Sequence, residues 1–185
     1  MSKVERSTIT DYVTYADRRG AIREGVMETK RVRRIHVGAY LTFLFENVET
    51  MRYQIQEMMR VERMVRESDI QHELDTYNEV LGGPGELGCT LLIEIDDPAE
   101  RDVKLTRWLS LPEHLYLRLE SGEKVPATFD RRQVGSDRVS AVQYLKFDVS
   151  GRPPVGIGCS LDDPDVGVEV MLSPEQRDAL EADLP

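Results

Sequence analysis

The spacing of apolar residues along the chain changes at one place, the glycine-rich segment 82–85. Before this segment, apolar positions recur every three to four residues, a period that is typical of amphipathic helices. We therefore predict three helices, with a short strand rich in β-branched residues between the first and the second. The predicted helices cover 11–29, 46–66 and 70–81, and the predicted strand covers 32–37.

Side chains that can cap a helix stand near the start of each predicted helix. The first helix has several candidates within Thr8–Asp11. Asn47 or Thr50 is expected to cap the second helix, and Ser68 or Asp69 the third.

After segment 82–85, apolar and polar residues alternate with a period of two. Such alternation is typical of antiparallel strands that bury one face, whereas parallel strands are apolar on both faces. Two short helical stretches interrupt or follow the predicted strands. The strands are expected within 89–95, 115–129, 141–149, 155–161 and 166–172, and the helices within 99–109 and 174–184.

These patterns predict an α+β fold. We expect a helical N-terminal layer, made of three helices and a short strand in region 1–81. This layer is expected to pack on a mostly antiparallel sheet or small barrel in region 82–185. Because a sheet with one apolar face and an amphipathic helical hairpin each need a covering layer, the two regions are expected to share one core.

The chain of 185 residues has a formal net charge of −10, and almost all of the acidic excess lies after residue 81. An acidic protein repels nucleic acid phosphates and anionic lipids, so we expect neither nucleic acid nor membrane as a partner. The basic run 30–34 is an exception, but in a strand its charges divide between two faces. Asp178, Glu181 and Asp183 in the last helix are expected to face solvent.

The N-terminal sequence lacks the apolar core of a signal peptide. The longest uncharged apolar stretch, 37–45, is far shorter than the ~20 residues that a membrane span needs. We therefore expect a cytoplasmic protein. Cys89 and Cys159 both fall at apolar positions of predicted strands, which favours two reduced core thiols over a redox pair.

Four charged residues interrupt the apolar stripes of the predicted helices. Glu62 lies within the stripe of the second helix and Glu73 within that of the third. Because these residues lie about equally far from the break between the two helices, a hairpin would place both carboxylates at one height. Arg19 and Arg23 lie within the stripe of the first helix, where Gly20 would let another backbone approach closely.

Buried charges need partners, so the balanced signs indicate that the four side chains meet. One interpretation is an interior ion-pair network that locks the first helix onto the hairpin. A second is a site in which the two arginines bind an anionic ligand and the two glutamates orient them. A third is a carboxylate metal site, but His72 points away from the stripe and the Glu-x-x-His motif of di-iron bundles is absent. The metal and any cofactor stay undetermined.

The segment from Lys30 to Asn78 resembles an uncharacterised bacterial family known as domain of unknown function 3501. The resemblance extends over about 10–150 and includes Glu62 and Glu73. It is carried by Arg33–Gly38, Phe45–Asn47, Thr50, Tyr53–Met58, Glu62 and Glu73–Asn78.

The family has no assigned activity, and its members are often encoded beside rubrerythrin-like and iron–sulfur proteins. The resemblance therefore implies a redox or oxidative-stress setting, with a redox or iron–sulfur protein as partner. This chain has no cysteine cluster of its own, so we do not expect it to carry an iron–sulfur cluster.

No nucleophile motif, phosphate-binding loop or zinc-ligand spacing stands in the sequence. We therefore expect a non-catalytic accessory protein that docks a partner through its helical layer. The alternative is an enzyme or sensor in which the four charged residues of the helix stripes bind a ligand or a metal. Methionines suit adaptable contact surfaces, and are equally typical of a core. The second helix carries Met51, Met58 and Met59, and Met64 follows them.

Overall fold

The structure, a computed structural model, describes residues 3–184. This part of the chain forms five α-helices and nine β-strands. The helices are α1 (Tyr12–Arg31), α2 (Val48–Glu62), α3 (Glu67–Asn78), α4 (Pro98–Arg107) and α5 (Pro174–Asp183). The strands are β1 (Arg34–Val37), β2 (Leu41–Glu46), β3 (Glu86–Ile93), β4 (Leu115–Leu119), β5 (Lys124–Pro126), β6 (Thr128–Phe129), β7 (Val142–Asp148), β8 (Pro154–Cys159) and β9 (Glu169–Met171).

The strands form two open antiparallel sheets that pack face to face. The first sheet has the order β1-β2-β3-β7-β6 and the second the order β5-β4-β8-β9. Their facing sides bury one apolar core, to which α4 contributes Leu105 and α5 contributes Leu180. The predicted α+β fold with a helical N-terminal layer is confirmed.

The helical layer has a second, smaller apolar core. It lies between α2 and α3, where Met51, Ile55 and Met59 of α2 meet Ile70 and Leu74 of α3. Met51 and Met59, for which the sequence allowed either a contact surface or a core position, are therefore core residues. Because α1 packs against α2 and α2 against α3, α2 is the middle helix of the layer.

The predicted helix starts are right for α1 and α2 and wrong for α3. Asp11 caps α1 by accepting hydrogen bonds from two backbone N–H groups of the first turn. Asn47 caps α2 in a reciprocal arrangement with Thr50. α3 begins at Glu67 without a side-chain cap, so neither Ser68 nor Asp69 has the predicted role. It also ends earlier than predicted, at Asn78.

Strand β2 was not predicted from the sequence. All six of its residues are buried, because one face lies against the second sheet and the other lies beneath the helical layer. A strand that is buried on both faces loses the alternation by which strands are found. As a result, Glu46 ends β2, although the sequence placed it at the start of a helix.

Region 1–81 and region 82–185 share the first sheet, because β2 pairs with β3. The close approach between the two regions depends on Gly88 of β3. A Cβ atom at Gly88 would lie 2.0 Å from the backbone oxygen of Val80, just after α3. The end of α3 is therefore held directly against the first sheet.

Cys89 and Cys159 are both buried free thiols, as the sequence predicted. Cys89 belongs to β3 of the first sheet and Cys159 to β8 of the second. None of the helices within 3–184 has the length and apolar content needed to cross a bilayer.

Candidate functional site

Arg19 of α1 pairs with α2, not with α3. Its guanidinium donates two hydrogen bonds to the Glu57 carboxylate, Nε to Oε1 at 2.7 Å and Nη2 to Oε2 at 2.9 Å. The Tyr15 hydroxyl donates a further hydrogen bond to Oε1 at 2.6 Å. The Arg19 guanidinium is the main reason that the pKa of Glu57 is lowered to about 2. This group of three side chains joins α1 to α2.

The predicted cluster of four buried charges does not form. Arg23 and Glu62 are exposed. α1 packs on the face of α2 that carries Glu57, whereas α3 packs on the opposite, apolar face. Because α2 lies between them, the arginines of α1 cannot reach Glu73 of α3, and the prediction that all four side chains meet is wrong. Nothing lies within 4 Å of a Cβ atom built on Gly20, so the predicted close backbone approach is also not made within the chain.

Sequence analysis missed Glu57, which lies on α2 opposite the methionine stripe. The stripe there recurs at helical spacing and contains Tyr53, Gln56 and Glu57. The Gln56 side chain accepts a hydrogen bond from the backbone N–H of Thr10 at 2.8 Å and donates one to its carbonyl at 3.0 Å. Because a polar stripe opposite an apolar one is also typical of a helix face exposed to solvent, the sequence contained no signal that distinguishes Glu57 from a solvated residue.

Glu62 and Glu73 do lie near one another, as the hairpin geometry predicted. Both line a cavity of about 380 Å³ at the turn between α2 and α3. The pKa of Glu73 is raised, first by burial and then by the nearby negative charge of Glu62. A cation placed beside these two carboxylates would reduce their mutual repulsion. The same cavity is also lined by Arg63 and Arg66.

A second cavity is a cleft between α3 and the edge of the first sheet, which we call the α3–β7 cleft. Its volume is about 620 Å³, within the range of small-ligand sites. One wall runs along α3 and the residues just after it, from His72 to Val80, and the other is formed by β6 and β7. Three aromatic side chains line it, Tyr77 from α3, Phe129 from β6 and Tyr144 from β7.

Glu73 belongs to both cavities, so the α3–β7 cleft continues into the smaller one. Among residues 3–184, no hydrogen bond or ion pair reaches the Glu73 carboxylate. The cleft therefore combines aromatic walls with one carboxylate that has no protein partner. Such an arrangement can bind an occupant and orient it.

A second acidic group, Glu46, is buried between the first sheet and the helical layer. It is only 4% exposed and accepts hydrogen bonds from Thr50 at 2.5 Å and Thr90 at 2.9 Å. Burial raises the pKa of Glu46, while the positive charge of Lys30 acts in the opposite direction. Sequence analysis did not identify this group, because it placed Glu46 at the start of the second predicted helix.

Within the basic run 30–34, Arg33 is buried, whereas Arg31 and Arg34 are exposed. Arg33 makes a two-point ion pair with Asp183 of α5, Nε to Oδ2 at 2.6 Å and Nη2 to Oδ1 at 3.0 Å. Arg31 pairs with Glu28 and Glu175. Asp183 is therefore largely buried, and the prediction that it faces solvent is wrong.

Within 3–184, the structure has no group of three or more His, Cys, Asp or Glu side chains placed to hold a metal ion. The glutamates at the cleft thus lack the additional ligands of a carboxylate metal centre.

The chain is similar over its whole length to a protein of known structure. That protein is described as a novel protein of unknown function from Burkholderia pseudomallei. The two chains are 28% identical, each is covered to 100%, and the TM-score is 0.89. A comparison with curated proteins found no match.

The model of one protein family, described as protein of unknown function (DUF3501), matches residues 3–184. This range includes the cleft, both of its walls and the C-terminal helix that holds Arg33 in place. The resemblance seen in the sequence therefore extends to nearly all of the chain, and the protein belongs to the DUF3501 family.

Proposed function

We propose that this protein is an accessory protein that binds an exposed segment of a partner protein in the α3–β7 cleft. The observation that carries the proposal is the Glu73 carboxylate, which has no partner within 3–184, in an aromatic cleft of about 620 Å³. Protein interfaces draw most of their binding energy from a few side chains that enter well-shaped pockets. An aromatic or long apolar side chain of the partner would meet such a pocket here.

The cleft fits docking through the helical layer, since α3 and Met58 of α2 form one of its walls. Its other wall is a sheet edge, so the docking surface extends beyond the helices. The residue content favours binding over catalysis, because the polar groups that line the cleft include no hydrogen-bonded nucleophile and base.

The redox or oxidative-stress setting remains part of the proposal, as does a redox or iron–sulfur protein as the partner. Both rest on the family association alone. We also propose a cytoplasmic location, which the two free buried thiols support, because reduced cysteines are typical of that compartment.

The alternative, an enzyme or sensor built on Arg19, Arg23, Glu62 and Glu73, has weaker support. Only the two glutamates adjoin the cleft, and Arg19 is already paired with Glu57. A ligand site at the glutamates would therefore use the same cleft without the arginines.

The test is site-specific photocrosslinking in the organism that encodes the chain. The photoreactive residue p-benzoyl-phenylalanine replaces Thr76, which is exposed and lines the cleft. The matched control replaces Asp75, the exposed neighbour on α3 that does not line the cleft. We expect one discrete adduct from position 76 only, identified by mass spectrometry.

The identified partner is then purified and titrated against the wild type and a cleft-filling variant, Thr128→Trp. We expect the variant to bind about tenfold more weakly, because the indole would occupy the space between β6 and α3. Equal adducts from both positions, no adduct from position 76, or unchanged affinity of the variant would each refute the proposal. An identified partner without redox chemistry would refute the redox setting only.

A further inference from the structure

We propose that the α3–β7 cleft selects a cationic group carried next to an apolar or aromatic body, an ammonium or guanidinium group being the chemistry recognised. This inference rests on the proposed binding function and specifies what the occupant must contain. The occupant that we propose is a lysine or arginine of the partner segment, and a free organic amine of the same chemistry is the competing outcome of the test.

Glu73 is the anion that the occupant would meet. It is half-buried, lies at the junction of the cleft and the smaller cavity, and has no hydrogen-bond or ion-pair partner within the described chain. Glu62 adds a second negative charge beside the same junction. A half-buried carboxylate with a like charge beside it is stabilised by any cation that comes between or next to the two groups.

None of the other charges along the cleft pairs with the Glu73 carboxylate. Asp130 lines the cleft, but Arg132 pairs with it at 2.5 Å and also attracts Glu79 on the opposite wall. Lys146 lies on the β7 wall.

The smaller cavity also contains basic groups. Arg63 and Arg66 line it, but neither forms an ion pair with Glu73 among the described residues. The neighbouring His72 lowers the pKa of Glu73, against the larger effects of burial and of Glu62.

The aromatic side chains supply the second part of the recognition. Tyr77, Phe129 and Tyr144 come from three different elements and line one cavity, so their rings enclose space that no single element encloses. Aromatic faces attract cations within ~6 Å of the ring centre and also cover the apolar body that carries the charge. A hydrated inorganic cation would use only the carboxylate, whereas an organic cation would use both.

The test measures binding of small defined ligands to the full chain by two-dimensional NMR, which follows the cleft residues individually. The ligands are N-acetyl-phenylalanyl-lysine amide, its norleucine and glutamate analogues, and free phenethylamine. The norleucine analogue keeps the apolar length without the charge. The variants are Glu73→Gln and, as matched control on the same helix, Asp75→Asn, whose side chain is exposed and does not line the cleft.

We expect the lysine ligand to bind about fivefold more tightly than the norleucine ligand, since a partly exposed ion pair contributes about 1 kcal/mol. Glu73→Gln is expected to remove this preference, and Asp75→Asn to retain it. Because the pKa of Glu73 is raised, the preference should also weaken as the pH falls and the carboxylate becomes protonated. Added salt should reduce it as well.

Three other results would each overturn the proposed charge selection. Equal binding of the lysine and norleucine ligands in the cleft would overturn the charge selection and leave the binding function standing. Tighter binding of the glutamate ligand would overturn it in favour of Lys146. No shift of cleft resonances with any ligand at about 10 mM would refute both the inference and the cleft as a binding site.

Two arms separate the sources of the cation. Tighter binding of the lysine dipeptide than of phenethylamine points to a segment of a partner protein, and the reverse points to a free amine. The first result supports the inference, provided that Glu73→Gln weakens binding, and the second overturns it in favour of a small-molecule site. Thermal unfolding of each variant checks that the change in binding does not come from a loss of folded protein.

Discussion

The ion pair between Arg33 and Asp183 joins the N-terminal region of the chain to its last helix, and Asp183→Asn tests how much it contributes. The two side chains are only 11% and 10% exposed, and two N–H groups of Arg33 donate to the carboxylate. Asn47 donates a further hydrogen bond to Asp183 at 3.2 Å. The substitution keeps the size of the side chain and removes its charge.

Breaking one partner of a buried ion pair typically costs ~3–5 kcal/mol, because the other charge is left without compensation. Here Arg33 retains a hydrogen bond to the carbonyl of Thr29 at 3.0 Å and a longer one to the carbonyl of Ala179 at 3.4 Å. We therefore expect a smaller loss, about 2–3 kcal/mol of unfolding free energy. For a domain of this length, that loss corresponds to a decrease in Tm of about 5–10 °C.

Urea and thermal unfolding of the full chain measure this loss, followed by circular dichroism. The matched control is Asp178→Asn, the same chemical change at an exposed position of α5. We expect the control to stay within about 0.5 kcal/mol of the wild type. If Asp183→Asn is as mild as the control, the ion pair does not hold α5 in place, and the buried apolar contact of Leu180 must do so instead.

Three further predictions concern single residues. Glu46→Gln should flatten the pH dependence of stability, because the pKa of Glu46 is raised above its ordinary value of 4.5. The contribution of Glu46 is fully present below pH 4.5 and is lost as the pH rises through the folded-state pKa. In urea unfolding at a series of pH values, the variant should therefore gain stability relative to the wild type as the pH rises. The contribution of Glu57 to stability changes with pH in the opposite direction. Its pKa is lowered from 4.5 to about 2, so its contribution is present above pH 4.5 and is lost as the pH falls towards 2, and Glu57→Gln should abolish that part of the acid-induced loss. Gly88→Ala should lower the free energy of unfolding by about 1–3 kcal/mol, because its Cβ would clash with the backbone oxygen of Val80. The control Gly25→Ala, in the open middle of α1, should raise the free energy of unfolding by about 0.5–1 kcal/mol. Equal effects of the two substitutions in thermal unfolding would contradict the close approach at Gly88.

The sequence predicted secondary structure well where apolar residues keep a regular period or where a helix cap is present. Strand β7 alternates because one of its faces lies in the core between the sheets. Strand β8 was predicted although all six of its residues are buried, because glycines separate its apolar residues and preserve the period of two. Helices α1 and α2 carry their own caps, so their starts could be located from local chemistry. Strand β2 was missed because Phe43, Leu44 and Phe45 form a continuous apolar run, which periodicity alone does not identify as a strand.

The charged residues singled out in the sequence also differ in whether their neighbours could be predicted. Glu62 and Glu73 could be brought together from sequence, because a hairpin relates them through one short turn and a fixed rise per residue. The partner of Arg19 could not, since Glu57 and Glu62 lie on different faces of α2 and only the packing of three helices decides which face meets α1. The burial of Asp183 likewise depends on the docking of α5 against the end of α1.

By itself, the sequence determined the change of structural class at the glycine-rich segment, the antiparallel strands, the two buried thiols and the acidic character of the chain. Those properties follow from local periodicity and composition. Only the tertiary structure decided where a binding site can be, because Tyr77, Phe129 and Tyr144 lie far apart in sequence and meet only when α3 is pressed against β7. A cleft of this kind is the space left between elements, and no segment of the chain encodes it alone.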